Sequence, residues 1–133
     1  MRRVFLDTVG LIAIWDSADQ WNMAAENAML ELIKSPVQTV TTDQVLLECG
    51  NASARRPYRS EVNSLRRKLS DGDKLFRATE AELEQAWEAY DRQDAAGAGI
   101  VDQTSFIVMR RLGITEAFTN DEHFRAAGFI TLF

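Results

Sequence analysis

Cysteine is almost missing from this 133-residue chain: Cys49 is the only one. One thiol excludes an internal disulfide and a cysteine-held zinc site. The single histidine, His123, is placed by no spacing argument, which leaves a histidine general base without support. Two prolines, no low-complexity tract and no fixed-period repeat leave no sign of a linker or a solenoid. No glycine-rich phosphate loop of the P-loop type is present. The apolar run that opens the chain is cut at Asp7, too soon for a signal peptide or a membrane span. A cytoplasmic protein with no membrane association is the simplest expectation.

Basic excess is missing too. Net charge is −5, whereas a nucleic-acid binder is usually basic. The charge is uneven, however. Arg55, Arg56, Arg59, Arg66, Arg67 and Lys68 face one acid, Glu61, over 55–68, while 80–94 holds six acids and one base, Arg92. One side of the molecule can therefore carry a positive field; two solvated helix faces are the simpler explanation of the pattern. The length suits one compact domain, 1–133, and 46% hydrophobic residues suffice for a core.

Val4-Phe5-Leu6-Asp7-Thr8 organises what is there. Three consecutive apolar residues describe a strand buried on both faces, as at the centre of a parallel sheet. Asp7 then stands at the carboxyl end, the edge at which open α/β sheets bind ligands. It also fits a plain helix N-cap.

The alternation continues downstream. A helix is expected over Val9–Trp15 and a second from about Gln20 to Lys34, with Met23, Ala24, Asn27, Leu30 and Ile33 sharing a face. Ser35-Pro36 stops it, and Val37–Thr41 reads as a strand. Thr42-Asp43 starts a helix whose inward stripe is Val45, Glu48, Cys49 and Ala52. A charge on that stripe needs a partner, either an arginine or a shared site with Asp7. Tyr58–Leu69 is a basic amphipathic helix with Val62, Leu65 and Leu69 inward. Ser70–Asp73 is a turn and Lys74–Ala78 a short strand. Thr79 caps a helix over Glu80–Arg92, with Leu83, Ala86, Trp87 and Tyr90 on one side. Ala95–Gly99 reads as the most flexible piece, either a mobile loop over a site or a plain connector. Ile100-Val101-Asp102 repeats the pattern of apolar residues ending in an acid and opens a buried helix, with Ser105 one turn on. Ile114–Thr119 is the fourth strand, Asn120-Asp121 caps a short helix through Ala127, and Phe129–Phe133 is the last strand. The expected fold is a three-layer α/β/α domain around a mainly parallel sheet of about five strands.

Four acids recur in this frame. Asp7 and Asp121 follow strands, Asp102 opens a helix and Glu48 points inward. A parallel sheet lets them converge at one edge. Two carboxylates about 5 Å apart repel by roughly 3 kcal/mol at an effective dielectric near 20, so such a cluster takes up protons or a hard divalent cation. Oxygen ligands suit Mg²⁺ or Mn²⁺, which activate water and offset charge on a phosphodiester. Each acid also has a bland reading as a helix cap or ion-pair partner.

In order, Val4-Phe5-Leu6-Asp7-Thr8, Thr41–Glu48, Val101-Asp102-Gln103-Thr104-Ser105-Phe106 and Ala117–Phe124 with Ala127-Gly128-Phe129 resemble the four motifs of the PIN-domain family. The likeness is to the VapC-type ribonuclease toxins of toxin–antitoxin pairs. It implies a Mg²⁺- or Mn²⁺-dependent endoribonuclease acting on structured RNA such as tRNA or rRNA. Asp7, Glu48, Asp102 and Asp121 would be its metal-site acids. Asp7 and Asp102 would bind directly, Glu48 and Asp121 through water, with Thr119 and Ser105 as supporting polar groups. A homodimer and a cognate antitoxin are implied as well. Arg55, Arg56 and Arg59, which follow the Glu48 helix, are candidate RNA contacts.

Three readings compete. A housekeeping nuclease on the same fold shares every residue above. A phosphoacceptor receiver domain needs an acidic pair after the first strand and a late lysine, but Thr8 follows Asp7 and no lysine lies beyond Lys74. A non-catalytic binding module would pair its four acids with arginines.

Overall fold

The computed structural model describes residues Met1–Phe133. Its elements run β1 (Arg2–Leu6), α1 (Thr8–Trp15), α2 (Asn22–Leu32), β2 (Val37–Thr42), α3 (Asp43–Ser53), α4 (Arg59–Asp71), β3 (Leu75–Phe76), α5 (Glu80–Asp91), α6 (Asp94–Gly97), α7 (Ile100–Leu112), β4 (Glu116–Phe118), α8 (Glu122–Ala126) and β5 (Ile130–Thr131). The five strands form one sheet in the order β3-β2-β1-β4-β5, and every pairing is parallel. The chain steps outward from β1 through β2 to β3, then returns past β1 to β4 and β5. Right-handed crossovers put α1–α4 on one face and α5–α8 on the other, the expected three-layer α/β/α arrangement.

Local chemistry accounts for the helix starts. Asp7, Thr42, Thr79 and Asp121 each accept a backbone N–H as N-caps of α1, α3, α5 and α8. Asp102 is not a cap: Gly99 takes that position and Asp102 lies in the first turn of α7.

β1 is the core. Val4, Phe5 and Leu6 are buried, as the doubly apolar run requires, and Val40, Ala117 and Phe118 flank them on β2 and β4. Gly10 in α1 packs so close to β4 that an added Cβ would stand 2.0 Å from the Phe118 carbonyl oxygen. Phe106 of α7 meets Phe124 of α8 edge-on at 4.9 Å between centroids and stacks on Phe129 at 5.5 Å. This aromatic cluster locks α7 against α8, the helices that carry Asp102 and Asp121.

Several helix faces differ from their periodic expectation. On α2, Met23, Leu30 and the adjoining Ile33 face out, and Ala25 and Leu32 face in. On α3 the buried stripe ends on Ser53 while Ala52 is exposed. On α5, Glu82, Ala86 and Ala89 are inward, whereas Trp87 and Tyr90 are half-exposed and meet edge-on. On α2 and α5 alanines take inward positions where the helix packs closely on its neighbours, and several large residues turn outward. The strands after β2 are shorter than expected, two or three residues each.

Ala95–Gly99 also departs from the flexible connector expected. Most of it lies in a compact left-handed turn with Ala95, Ala96 and Gly97 at φ 53, 58 and 77°. The buried Gln103 amide ties it down, donating to the carbonyls of Asp94 at 2.8 Å and Ala98 at 3.4 Å. The segment is a buttress for the start of α7.

Candidate active site

The strand order turns back between β1 and β4, the switch point at which open α/β sheets bind ligands. Leu6 and Phe118 pair across it. Asp7 and Thr119, the next residue on each strand, are therefore neighbours although 112 residues apart. The Thr119 hydroxyl donates to Asp7 Oδ2 at 2.8 Å and accepts from the Asp121 amide at 3.1 Å. One buried threonine thus fixes two of the four acids.

Asp7 is 1% exposed. Its Oδ2 also accepts the Val9 amide, at 3.4 Å. Its Oδ1 is buried without any partner, a costly arrangement for a charged oxygen. Burial first, then the facing charge of Asp102, pushes its pKa up to about 8; Asp121 and Glu48 add to this and the Thr119 bond opposes it. Asp102 is pushed up to about 6 by burial, then by Asp121 and Glu48, against the pull of His123 and of the Gly99 amide.

Glu48 arrives from α3, half-buried, and accepts the Thr8 hydroxyl at 2.5 Å. It therefore joins Asp7 and takes no arginine. Asp121 caps α8, its Oδ1 accepting both the backbone amide of His123 at 2.9 Å and ring Nδ1 at 2.8 Å. A donor atom from each of Asp102, Asp121 and His123 lies within 4.8 Å of the others. Buried Cys49 sits beside this group, its thiol pushed up to about 12 by burial, which makes it inert packing.

The structure brings Asp7, Glu48, Asp102, Asp121 and Thr119 together. Ser105 is buried but donates to Val101 of its own helix, at 2.9 Å. Arg55 and Arg56, in the α3–α4 turn, and Arg59, at the start of α4, are exposed, and none of them pairs with the four acids. Arg59 lines a groove of about 510 Å³ with Arg66 and Arg77. A recess of about 320 Å³ beside Glu48 shares Leu47 with that groove. Thr8 and His123 are the residues that sequence reasoning left without a role. Thr8 touches Glu48, 40 positions away, which no spacing signals; the short Asp-x-His step at a helix start could have drawn attention to His123.

Arginine pairing, the mark of a silent module, is absent. None of Asp7, Glu48 and Asp102 has an ion pair, and Asp121 pairs only with His123. A divalent cation is the natural counter-charge. The donor set is mainly carboxylate oxygen, and one oxygen of Asp7 is buried without a partner.

No protein-family model matches the chain. VapC20, a 23S rRNA-specific endonuclease of Mycobacterium tuberculosis, is 35% identical over 128 residues, spanning 96% of this chain and 95% of its own, in two strains. This chain belongs to the VapC-type, PIN-domain ribonuclease toxins. The crystal structure of VapC20, described as a sarcin–ricin-loop-cleaving toxin, matches with a TM-score of 0.78 at 28% identity over 96% of each chain. FitAcB from Neisseria gonorrhoeae is 12% identical and shares the fold, with a TM-score of 0.63 over 96% and 95% of the two chains. No helix here is long and apolar enough to cross a membrane.

Proposed function

We propose that this chain is the toxin of a toxin–antitoxin pair and hydrolyses a phosphodiester in structured RNA, with ribosomal RNA the first substrate to try. Asp7, Glu48, Asp102 and Asp121 are its catalytic acids, and Mg²⁺ or Mn²⁺ is its cofactor. The unpartnered, buried Asp7 carboxylate among three other acids carries this reading. The identity to an rRNA endonuclease supports the choice of substrate.

A bound divalent cation supplies positive charge and a more acidic water. The residues divide the remaining work. Asp7, Asp102 and Asp121 would hold the cation. Thr119 aims Asp7 and steadies the Asp121 amide, while Thr8 orients Glu48. Glu48 would act through water. Burial of Asp7 keeps bulk water from the inner wall and strengthens each of these interactions.

Arg55, Arg56 and Arg59 are assigned to RNA phosphates. Replacing them with alanine is expected to weaken binding and flatten its salt dependence. A homodimer and a cognate antitoxin complete the reading, with exposed Met23, Leu30 and Ile33 and with Leu47 on α3 supplying apolar surface. The deciding experiment incubates 23S rRNA and a sarcin–ricin-loop oligonucleotide with the protein in Mg²⁺, in Mn²⁺ and in chelator. Metal-dependent cleavage, lost in a folded Asp7→Asn variant, is the expected outcome. Cleavage that survives chelator or that variant overturns the reading.

A further inference from the structure

We propose that His123 is a protein ligand of the cation, alongside Asp102 and Asp121, and that it gives the site a preference for Mn²⁺ over Mg²⁺. The inference rests on the metal-dependent reading above and deepens it.

Three observations lead there. A ring nitrogen of His123 and one carboxylate oxygen from each of Asp102 and Asp121 lie within 4.8 Å of one another. Ring Nδ1 is 2.8 Å from Asp121 Oδ1. Adjacent ligands on an octahedral ion, with metal–ligand distances of about 2.1 Å, stand about 3 Å apart, so this pair already has the spacing of a ligand edge. Asp7, whose charge is coupled to Asp102 and Asp121, keeps a buried oxygen with no partner of its own.

Exposure divides the ligands sensibly. Asp7 forms the buried wall, the Asp121 side chain is 18% exposed, and the His123 ring at 38% stands on the solvent side. The backbone bond from His123 N to Asp121 Oδ1 fixes the start of α8 so that the ring stays beside the carboxylate. Without metal, the Nδ1–H donates to Asp121. With metal, the same nitrogen donates its lone pair to the cation and the ring proton resides on Nε2.

Nitrogen ligation changes the metal chemistry. Mg²⁺ favours an all-oxygen octahedron and keeps its waters, whereas imidazole suits the first-row transition ions. An all-carboxylate site would lack that bias.

The test titrates Mn²⁺ and Mg²⁺ into metal-free wild-type protein, His123→Asn and His123→Gln. Affinity is read by calorimetry, folding by circular dichroism and first-sphere nitrogen by pulsed EPR of the Mn²⁺ complex. Wild type is expected to show ¹⁴N coupling from a bound imidazole. Both variants, still folded, are expected to lose that coupling and to bind Mn²⁺ about tenfold more weakly, with Mg²⁺ affinity changing far less. Tight Mn²⁺ binding without ¹⁴N coupling in wild type overturns the proposal while leaving the carboxylate site standing. Failure of wild type to bind either ion overturns both.

Discussion

Asp7 and Glu82 are both buried acids, 1% and 9% exposed, and their surroundings are opposite. Glu82 lies on α5 where it meets α7. Its Oε1 accepts the Thr79 amide at 2.9 Å in a capping box, and its Oε2 accepts Arg111 Nε at 2.8 Å. The Arg111 bond holds its pKa below the usual carboxylate range. Asp7, at the end of β1, has three acids for neighbours and one oxygen with nothing to accept. Burial alone therefore does not mark a site. A buried charge with its donors supplied is architecture; one denied them is a candidate for holding an ion.

Substitution separates the two most sharply. Asp7→Asn is expected to lower cleavage at least about 100-fold and, without metal, to raise stability above pH 8 by about 2 kcal/mol or more. Glu82→Gln is expected to do the reverse, leaving cleavage intact and costing about 2 kcal/mol. Single-turnover cleavage and urea unfolding measure the two effects; a stable, inactive Glu82→Gln protein would erase the distinction.

pH gives the next contrast. The folded-state pKa of Asp7, about 8, lies above its ordinary 3.8. Its contribution is full below pH 3.8 and is lost as pH rises toward 8. Asp102 behaves likewise, its contribution full below 3.8 and lost once pH has risen through about 6. Glu82 has the opposite sign: its contribution is present above 4.5 and is lost as pH falls. Thermal stability of the metal-free protein is therefore expected to fall from pH 5 to 9. Added Mn²⁺ should restore more of it at pH 8 than at pH 6, because the cation replaces bound protons. Scanning calorimetry across that range checks both signs.

Support residues give smaller effects. Thr119→Val keeps the shape but removes the donor to Asp7 and the acceptor for the Asp121 amide, and is expected to slow cleavage about tenfold. Thr8→Val, which removes the donor to Glu48, should slow it a few-fold. Rates for the two variants at saturating metal rank them; the opposite order would place the critical alignment at Glu48.

The sequence alone determined the alternation of strands and helices, the central position of β1 and the identity of the four acids. Those features are local: a doubly apolar run, a helix period, a cap residue beside a strand end. It did not determine which side of α2 or α5 faces inward. Met23, Leu30, Trp87 and Tyr90 fit an apolar stripe, but close packing favours Ala25, Ala86 and Ala89, and steric fit between helices has no signature along one of them. Nor did it place Thr8 against Glu48, or give His123 a partner. The functional state of Asp7 belongs to the tertiary structure most of all. An aspartate after a strand is a common cap; only the β1–β4 register, the aromatic lock between α7 and α8 and the inward turn of α3 leave this one buried, unpaired and facing three other charges.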